Sequence, residues 1–349
     1  DNLVLNLDAG NIKSYAGDTA TPAAPAYGYV GGGSSPTASS IVDRIDYGND
    51  TATAVAKGPL STAKYALSAT GNASYAYFGG GEPALTTVDR LDYSSDTTAC
   101  AVKGPLDVGR DYLAATGNAS YGYFGGGIPG PKSLVSRIDY SNDTATATAK
   151  GPLSAAREYL AATGNTSYGY FAAGADPNTS TIDRLDYSSD TTTAAVKGPL
   201  TSIRKQLSAT GNTSYGYFGG GRSGPGASQV STVDRVDYSS DTPTAAAKGP
   251  LTLVSYWGAA TGSSSYGYFA LAGGPDPYYL SLVDRIDYSS DTPTATAKGP
   301  LSTARRGIAA ASGLANGLPN SATYATRSAS TPAGTAYGYI GGGQPGPRS

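Results

Sequence analysis

One unit of a repeat occupies residues 150–196 and reads KGPLSAAREYLAATGNTSYGYFAAGADPNTSTIDRLDYSSDTTTAAV. Four short stretches in it are rich in Thr, Val, Ile, Leu or Tyr, and Gly, Asn, Ser and Asp separate them, which is typical of strands joined by turns. We predict strands at residues 157–163, 168–172, 181–187 and 191–196. No window has a useful 3.6-residue apolar period, so we expect almost no helix.

The same unit recurs along most of the chain. The motif that reads VDRIDY at its first occurrence begins at Val42, Val88, Val135, Ile182, Val233 and Val283. The motif KGPL begins at Lys57, Lys103, Lys150, Lys197, Lys248 and Lys298. A third motif, YGYFGGG in its commonest form, begins at Tyr27, Tyr75, Tyr121, Tyr168, Tyr215, Tyr266 and Tyr337. Four strands in a repeat of about 47 residues predict the blades of an all-β propeller.

The unit resembles a kelch repeat. In that family Arg opens the first strand, an aromatic second strand ends in Gly-Gly, and a later strand ends at a step between an aromatic residue and Asp. The corresponding residues here are Arg110, residues 123–126, and Asp139 with Tyr140. The order Asp-Tyr replaces the more usual Tyr-Asp, and Thr and Ala replace the Trp typical of the fourth strand. The YGYFGGG arrays also look like kelch-like proteins of marine bacteriophages and their hosts. The resemblance implies a propeller and leaves the activity open.

We divide the chain into three parts. Residues 1–26 are an N-terminal extension with one apolar strand, and residues 27–313 are the propeller. Residues 314–349 are a C-terminal extension with a spare YGYIGGG strand that could complete a blade.

Closure of the ring requires a strand from the C-terminal end. Pro22 and Pro25 lie where the first strand of the first blade should be, and proline removes a hydrogen-bond donor from a sheet. Residues 304–312 have the pattern of a first strand without a following partner, so we expect them to pair with residues 27–30 and close a ring of six blades. In the alternative, residues 304–312, 337–340 and 3–7 build a seventh, composite blade.

Composition excludes many functions. The chain has no His and a single Cys, which excludes a Ser-His-Asp triad, His-ligated metals and an intrachain disulfide. Its 24 Lys and Arg against 26 Asp and Glu lack the basic footprint of a nucleic-acid binder. No apolar run is long enough to span a bilayer. We therefore expect a non-enzymatic protein with no cofactor, no metal, no nucleic-acid partner and no membrane span.

The VDRIDY motif carries an Arg and an Asp on one strand face in every copy. Six equivalent copies indicate structure rather than catalysis, and we predict bidentate ion pairs between blades. The residues concerned are Arg44, Asp46, Arg90, Asp92, Arg137, Asp139, Arg184, Asp186, Arg235, Asp237, Arg285 and Asp287.

The positions that differ among the copies are the binding candidates. Antiparallel strands place the loop between the second and third strands on the same rim as the loop between blades, and binding residues often lie on such loops. Tyr278 and Tyr279 form an aromatic pair in one of these loops. A fixed position after each KGPL is basic in five copies, at Lys64, Arg110, Arg157, Arg204 and Arg305, with Ser255 in the sixth. Aromatic residues follow two positions later at Tyr112, Tyr159 and Trp257.

This second set admits two interpretations. A cationic ring with aromatic neighbours at the channel mouth suits carboxylated or sulfated glycans, or an acidic protein tail. Alternatively, each Arg makes a structural blade contact, as the kelch resemblance implies.

Two functions follow from these patterns. The first is a structural or adhesion module, an accessory component of a phage virion or another extracellular assembly, which binds other subunits or forms a homo-oligomer. The second is a lectin-like propeller that binds surface glycans through its variable rim. Both place the protein outside the cell or on a virion.

Overall fold

The computed structural model describes residues 27–313 except residues 225, 227, 276 and 277. The predicted N-terminal strand and the spare C-terminal strand lie outside the described residues. The described chain is all-β, as predicted, with six four-stranded antiparallel sheets and one small three-stranded sheet. No helix in this part of the chain is long and apolar enough to cross a membrane.

We number the six large sheets by the order of their second strands. In sheets 1 to 6 the first strands are Ala309–Ala311, Ser68–Gly71, Ala114–Gly117, Ala161–Gly164, Ser208–Gly211 and Ala259–Gly262. The second strands are Tyr27–Gly31, Tyr75–Gly79, Tyr121–Gly125, Tyr168–Ala172, Tyr215–Gly219 and Tyr266–Ala270. The third strands are Val42–Asp46, Val88–Asp92, Val135–Asp139, Ile182–Asp186, Val233–Asp237 and Val283–Asp287. The fourth strands are Val55–Ala56, Ala101–Lys103, Thr148–Lys150, Ala195–Lys197, Ala246–Lys248 and Thr296–Lys298.

Short elements complete the described chain. The small sheet pairs Arg204–Lys205, Arg222–Ser223 and Ser228–Gln229. Single 3-10 turns follow four of the third strands, at Tyr47–Asn49, Tyr93–Ser95, Tyr140–Asn142 and Tyr187–Ser189.

The two ends of the described chain meet in sheet 1. Ala309–Ala311 pairs antiparallel with Tyr27–Gly31, in the register Tyr29 to Ala311, as the pairing prediction requires. The first strands of the six sheets contact one another in cyclic order, and the first strand of sheet 1 lies between those of sheets 6 and 2. The composite seventh blade would need residues 3–7 and 337–340, which lie outside the described residues.

A compensating pair of small residues marks the contact between sheets 1 and 2. In the other five sheets, a Gly in the second strand faces a Thr of the preceding first strand, and a Cβ on that Gly would lie 2.6–2.8 Å from the Thr methyl. Sheet 2 has Ala76 instead of Gly, and the facing residue in sheet 1 is Ala311 instead of Thr. The extra methyl of Ala76 thus replaces the methyl that Ala311 lacks, as expected for neighbours in a close-packed core.

Glycine also permits close packing between sheets through its missing side chain. Five of the six second strands carry a Phe that is at most 1% exposed, and sheet 1 has Val30 instead. Where the preceding second strand ends in Gly, the Phe ring lies against that Gly. A Cβ on Gly79 would lie 2.7 Å from Phe124, and one on Gly125 would lie 2.7 Å from Phe171. Four of the six second strands end in Gly, which allows the next sheet to approach this closely, and the other two end in the small residues Ala172 and Ala270.

Each junction between consecutive sheets is built on one buried carboxylate. At Asp143, Tyr77 Oη donates at 3.0 Å, Arg90 Nη1 lies at 2.7 Å, and Lys103 Nζ lies at 3.2 Å. The six carboxylates, from the junction of sheets 1 and 2 to that of sheets 6 and 1, are Asp96, Asp143, Asp190, Asp241, Asp291 and Asp50.

The repeated Arg residues therefore do join sheets, but the predicted acid partner was wrong. Arg44, Arg90, Arg137, Arg184, Arg235 and Arg285 each make a single N–O contact with a junction carboxylate. Asp46, Asp92, Asp139, Asp186, Asp237 and Asp287 instead accept the backbone N–H two residues later and cap the following turn. A short carboxylate at the end of a strand bonds locally more easily than it reaches across a sheet.

Strand ends differ from the prediction where the backbone turns. The second strand of sheet 4 has the predicted bounds, and the third is shorter by one residue at each end. The first strand begins at Ala161 rather than residue 157 because Tyr159 has a positive φ of 57°. The fourth begins at Ala195 because the preceding Thr run continues the turn.

Candidate functional site

The six sheets place their loops on two rims. The hairpins between first and second strands lie on one rim. The loops between second and third strands, and the loops between sheets, lie on the other. We call the centre of this second rim the mouth, because the six first strands begin there around a central cavity of about 110 Å³.

A ring of backbone hydrogen bonds surrounds the mouth. The residue two positions before each first strand has a positive φ of 51–67°: Ala66, Tyr112, Tyr159, Gln206, Trp257 and Gly307. Each N–H donates to the carbonyl of its counterpart in the preceding sheet, at 2.8–3.0 Å, and the six bonds form a closed ring. Five of the six are not Gly, and the left-handed conformation costs such residues roughly 1–2 kcal/mol each. Backbone strain of this kind concentrates at functional sites.

Aromatic side chains converge over this ring. Tyr112 and Trp257 come from opposite sheets, and their ring centroids are 5.8 Å apart, so the rings bridge the mouth. Tyr159 packs on Tyr112 at 4.4 Å. We define the aromatic cluster as Tyr112, Tyr159, Tyr256, Trp257, Tyr278 and Tyr279, in which every ring lies within 6.5 Å of another.

The cluster forms a surface rather than a deep pocket. Tyr278 is 47% exposed, whereas Tyr256 is buried beneath it. A cavity of only about 60 Å³ lies within the ring of positive-φ residues. Two polar atoms of its lining residues, Trp257 Nε1 and Gln206 Oε1, are buried and have no hydrogen-bond partner among the described residues. A ligand would therefore rest on the cluster rather than enter the channel.

Two arginines lie against one side of the cluster. The guanidinium carbon of Arg306 is 4.0 Å from the ring centroid of Tyr278 and 4.5 Å from that of Trp257. Arg222 lies over Tyr256 at 3.9 Å. Among the residues that the structure describes, neither arginine forms an ion pair. We call Arg222, Arg306 and the rings of Tyr256, Trp257 and Tyr278 the basic corner.

Carboxyl groups lie on the other side of the mouth. Asp111 is 2% exposed, and burial together with the nearby carboxylate of Glu82 raises its pKa. Burial and the charge of Asp176 raise the pKa of Glu158. No group of three or more potential metal-ligating side chains occurs among the described residues. The mouth thus has an acidic and a basic side.

The predicted cationic ring does not face the mouth. Lys64, Arg110, Arg157, Arg204 and Arg305 are at most 1% exposed and lie inside the sheets. Four of them form buried ion pairs with a third-strand Asp: Lys64 with Asp89, Arg157 with Asp183, Arg204 with Asp234, and Arg305 with Asp43, at 2.5–2.9 Å. A buried charge needs such a partner, so the structural interpretation of these cations is the one that the contacts support.

Sheet 3 also has a buried cation and a nearby carboxylate, but the Asp and the Ser occupy each other's usual positions. Other sheets combine a third-strand Asp with Ser or Thr after KGPL, whereas sheet 3 has Ser136 in the strand and Asp107 after KGPL. Arg110 donates to Ser136 Oγ, which donates to Asp107. Burial lowers the pKa of Arg110 to about 10, and the charge of Asp107 opposes that shift.

Sheet 6 lacks the cation altogether. Ser255 takes its place and accepts the N–H of Ala272. The third-strand Asp284 is fully buried and accepts hydrogen bonds from Thr252 N and Oγ1. Burial raises the pKa of Asp284, and these hydrogen bonds oppose the shift.

The aromatic candidates and the basic candidates thus separate. The structure brings Tyr112, Tyr159, Trp257, Tyr278 and Tyr279 together and removes all five predicted cations from the site. Arg306 and Arg222 were missed. Arg306 belongs to a position that differs in nearly every repeat, with Tyr65, Asp111, Glu158, Lys205 and Tyr256 as its equivalents. That variation, one residue after an almost invariant cation, was the available signal.

Comparison with known proteins gives no assignment. No protein-family model matches this chain, and no curated protein is significantly similar to it. The kelch and phage resemblances therefore stay predictions from the repeat.

Proposed function

We propose that this protein is a non-enzymatic binding module that recognises carbohydrate through the aromatic cluster at its mouth. The observation that carries the proposal is the convergence of six aromatic rings from four loops, five of them at the surface and Tyr256 buried beneath Tyr278. Rings of this kind give a ligand a large, rigid contact area with polar edges. A module of this type would serve attachment within an extracellular or virion-associated assembly.

The backbone at the mouth favours a saccharide over a peptide. Peptide recognition by strand addition requires free backbone groups. The six N–H groups nearest the axis are already used in the hydrogen-bonded ring. Recognition at the mouth is left to side chains.

A glycan array tests the proposal. We expect the wild type to bind a restricted set of glycans, and Trp257→Ala and Tyr278→Ala to reduce that binding by at least tenfold. Tyr121→Ala is the control, because Tyr121 is a half-buried aromatic residue near the opposite rim. Thermal unfolding of all four proteins separates lost contact from lost fold. Absence of any glycan signal, or equal loss in Tyr121→Ala, would contradict the proposal.

A structural role in an assembly is the second candidate. Three outer fourth strands expose a valine, with Val55 at 54% and Val102 and Val196, one position closer to the following Lys, both at 61%. Exposed apolar residues on an edge strand favour pairing with another chain. Light scattering behind a sizing column tests this role: a discrete oligomer that Val102→Lys plus Val196→Lys dissociates supports it, and a 35.0 kDa monomer contradicts it.

A further inference from the structure

Resting on the proposed function, we infer that the basic corner binds the carboxylate of an acidic saccharide. The mouth has an acidic and a basic side, and its exposed tyrosine lies on the basic side. The inference therefore names the charge of the ligand and the residues that recognise it.

Arg306 lies among aromatic rings and has few hydrogen-bond acceptors. The rings of Tyr278 and Trp257 lie near its guanidinium group, and Tyr279 lies at 5.5 Å. The rings attract the guanidinium charge, whereas the hydrogen bonds of a guanidinium group are made by its several N–H donors. Only Nη1 has a side-chain acceptor among the described residues, and that contact, with Tyr256 Oη, is long at 3.5 Å. The remaining donors can receive an anion.

Charge on the protein favours an anion here. Every other described arginine has a carboxylate partner, or reaches one through Ser136, so Arg222 and Arg306 are the exceptions among the arginines that the structure describes. An arginine that is held in place loses less side-chain entropy when it binds. A planar carboxylate matches two parallel N–H donors of a guanidinium group better than a neutral hydroxyl does.

Calorimetric titration with defined oligosaccharides tests the inference. The probes are an alginate hexamer, a sulfated carrageenan hexamer and neutral cellohexaose. We expect the alginate hexamer to bind most tightly and to weaken as salt is added, because charge contributes to binding. Arg306→Ala should weaken alginate binding by about 10- to 100-fold, the usual effect of losing hydrogen bonds to a charged group. Arg306→Lys should recover only part of the loss, because Lys lacks the planar donor pair.

A matched control removes one charge elsewhere on the same rim. Lys132→Ala changes a loop residue of sheet 3, outside the basic corner, and should leave alginate affinity within twofold. Equal binding of cellohexaose and alginate, with Trp257→Ala still harmful and Arg306→Ala harmless, would overturn the carboxylate inference and leave the proposed function standing. Tighter binding of the carrageenan hexamer, or of a polyglutamate peptide, would also overturn it. Failure of every saccharide would instead contradict the proposed function.

Discussion

The sheet junctions and the mouth differ in how they use the same repeat. At the junctions, Tyr, Arg and Lys surround an Asp in all six copies, with distances that agree within 0.2 Å for each contact. At the mouth, the six equivalent residues Ala66, Tyr112, Tyr159, Gln206, Trp257 and Gly307 are almost all different. The same residue types hold the sheets together at every junction. The residue types that vary lie at the mouth, on backbone with a positive φ.

Between these extremes, departures from the repeat occur in compensating sets. Relative to the other repeats, Ala76 adds a methyl group where Ala311 of the neighbouring sheet lacks one. In sheet 3, Asp107 and Ser136 carry the carboxylate and the hydroxyl at each other's usual positions. In sheet 6, Ser255 replaces the buried cation where Leu271 and Ala272 replace two glycines. Packing and charge balance are thus conserved when individual residues are not.

The largest expected effect contrasts two equivalent buried carboxylates. Asp234→Asn removes the partner of Arg204 and leaves a fully buried cation, which should lower the free energy of unfolding by about 3–5 kcal/mol. Asp284→Asn is the matched control, because Asp284 faces Ser255 and no cation. It should change stability by less than about 1 kcal/mol or increase it. Urea denaturation measures both, and equal losses would contradict the assigned pairing.

The same control should alter the response to pH. The pKa of Asp284 is raised in the folded state, so the unfolded chain binds fewer protons at this site. Its contribution to stability is therefore greatest at low pH and declines as the pH rises above 3.8, the ordinary pKa of an Asp side chain, and through the folded pKa. Asp284→Asn should remove this decline, measured as the difference in unfolding free energy between variant and wild type from pH 4 upward. A constant difference would contradict it.

Another prediction tests whether Asp107 and Ser136 in sheet 3 compensate for each other. Asp107→Ser should leave Arg110 without a carboxylate, and Ser136→Asp should place two carboxylates together beside it. The double variant reproduces the arrangement of sheet 4, in which the N–H of Ser154 donates to Asp183, the ion-pair partner of Arg157. A double-mutant cycle by urea denaturation should therefore give a coupling energy of about 1–3 kcal/mol. Additive effects would show that the two positions do not compensate.

A further prediction tests the contact between Ala311 of sheet 1 and Ala76 of sheet 2. Ala311→Thr adds a methyl against Ala76 and should cost about 1–3 kcal/mol through overpacking. Ala76→Gly in the same chain makes room for that methyl. The hydroxyl that Ala311→Thr introduces then lies near Tyr93 Oη, which has no partner among the described residues, as Thr70 Oγ1 lies near Tyr140 Oη. The double variant should regain most of the loss in thermal unfolding. No recovery would mean that the two residues are not in contact.

The sequence predicts the repeated parts of this molecule best. A pattern that recurs in six copies is not accidental. The strand Tyr168–Ala172 was therefore predicted correctly, and residues 27–30 were correctly paired with the C-terminal strand. The partner of Arg44 was missed because Asp46 and Asp96 both recur with the same period, and periodicity cannot choose between them.

The candidate site was predicted in part. The aromatic residues were found because they vary, but burial of Arg157 could not be deduced from a pattern that is equally consistent with a ring at the mouth. Its partner Asp183 lies 26 residues away in another strand. The positive φ of Tyr112 and Trp257 could not be predicted either, because Tyr and Trp normally avoid this conformation.

The smallest effect is expected at the mouth, where a change should increase stability. Gln206→Gly removes a left-handed non-Gly residue and a buried, unpartnered Oε1, against a loss of roughly 0.5–1 kcal/mol from greater freedom of the unfolded chain. We expect a net gain of about 1 kcal/mol by urea denaturation. The reverse change at the equivalent position, Gly307→Ala, should lose about 1 kcal/mol because it adds a Cβ at φ 67°. A loss in Gln206→Gly would mean that the mouth residues stabilise the ring. A gain would mean that they are retained at the expense of stability, as expected for a binding surface.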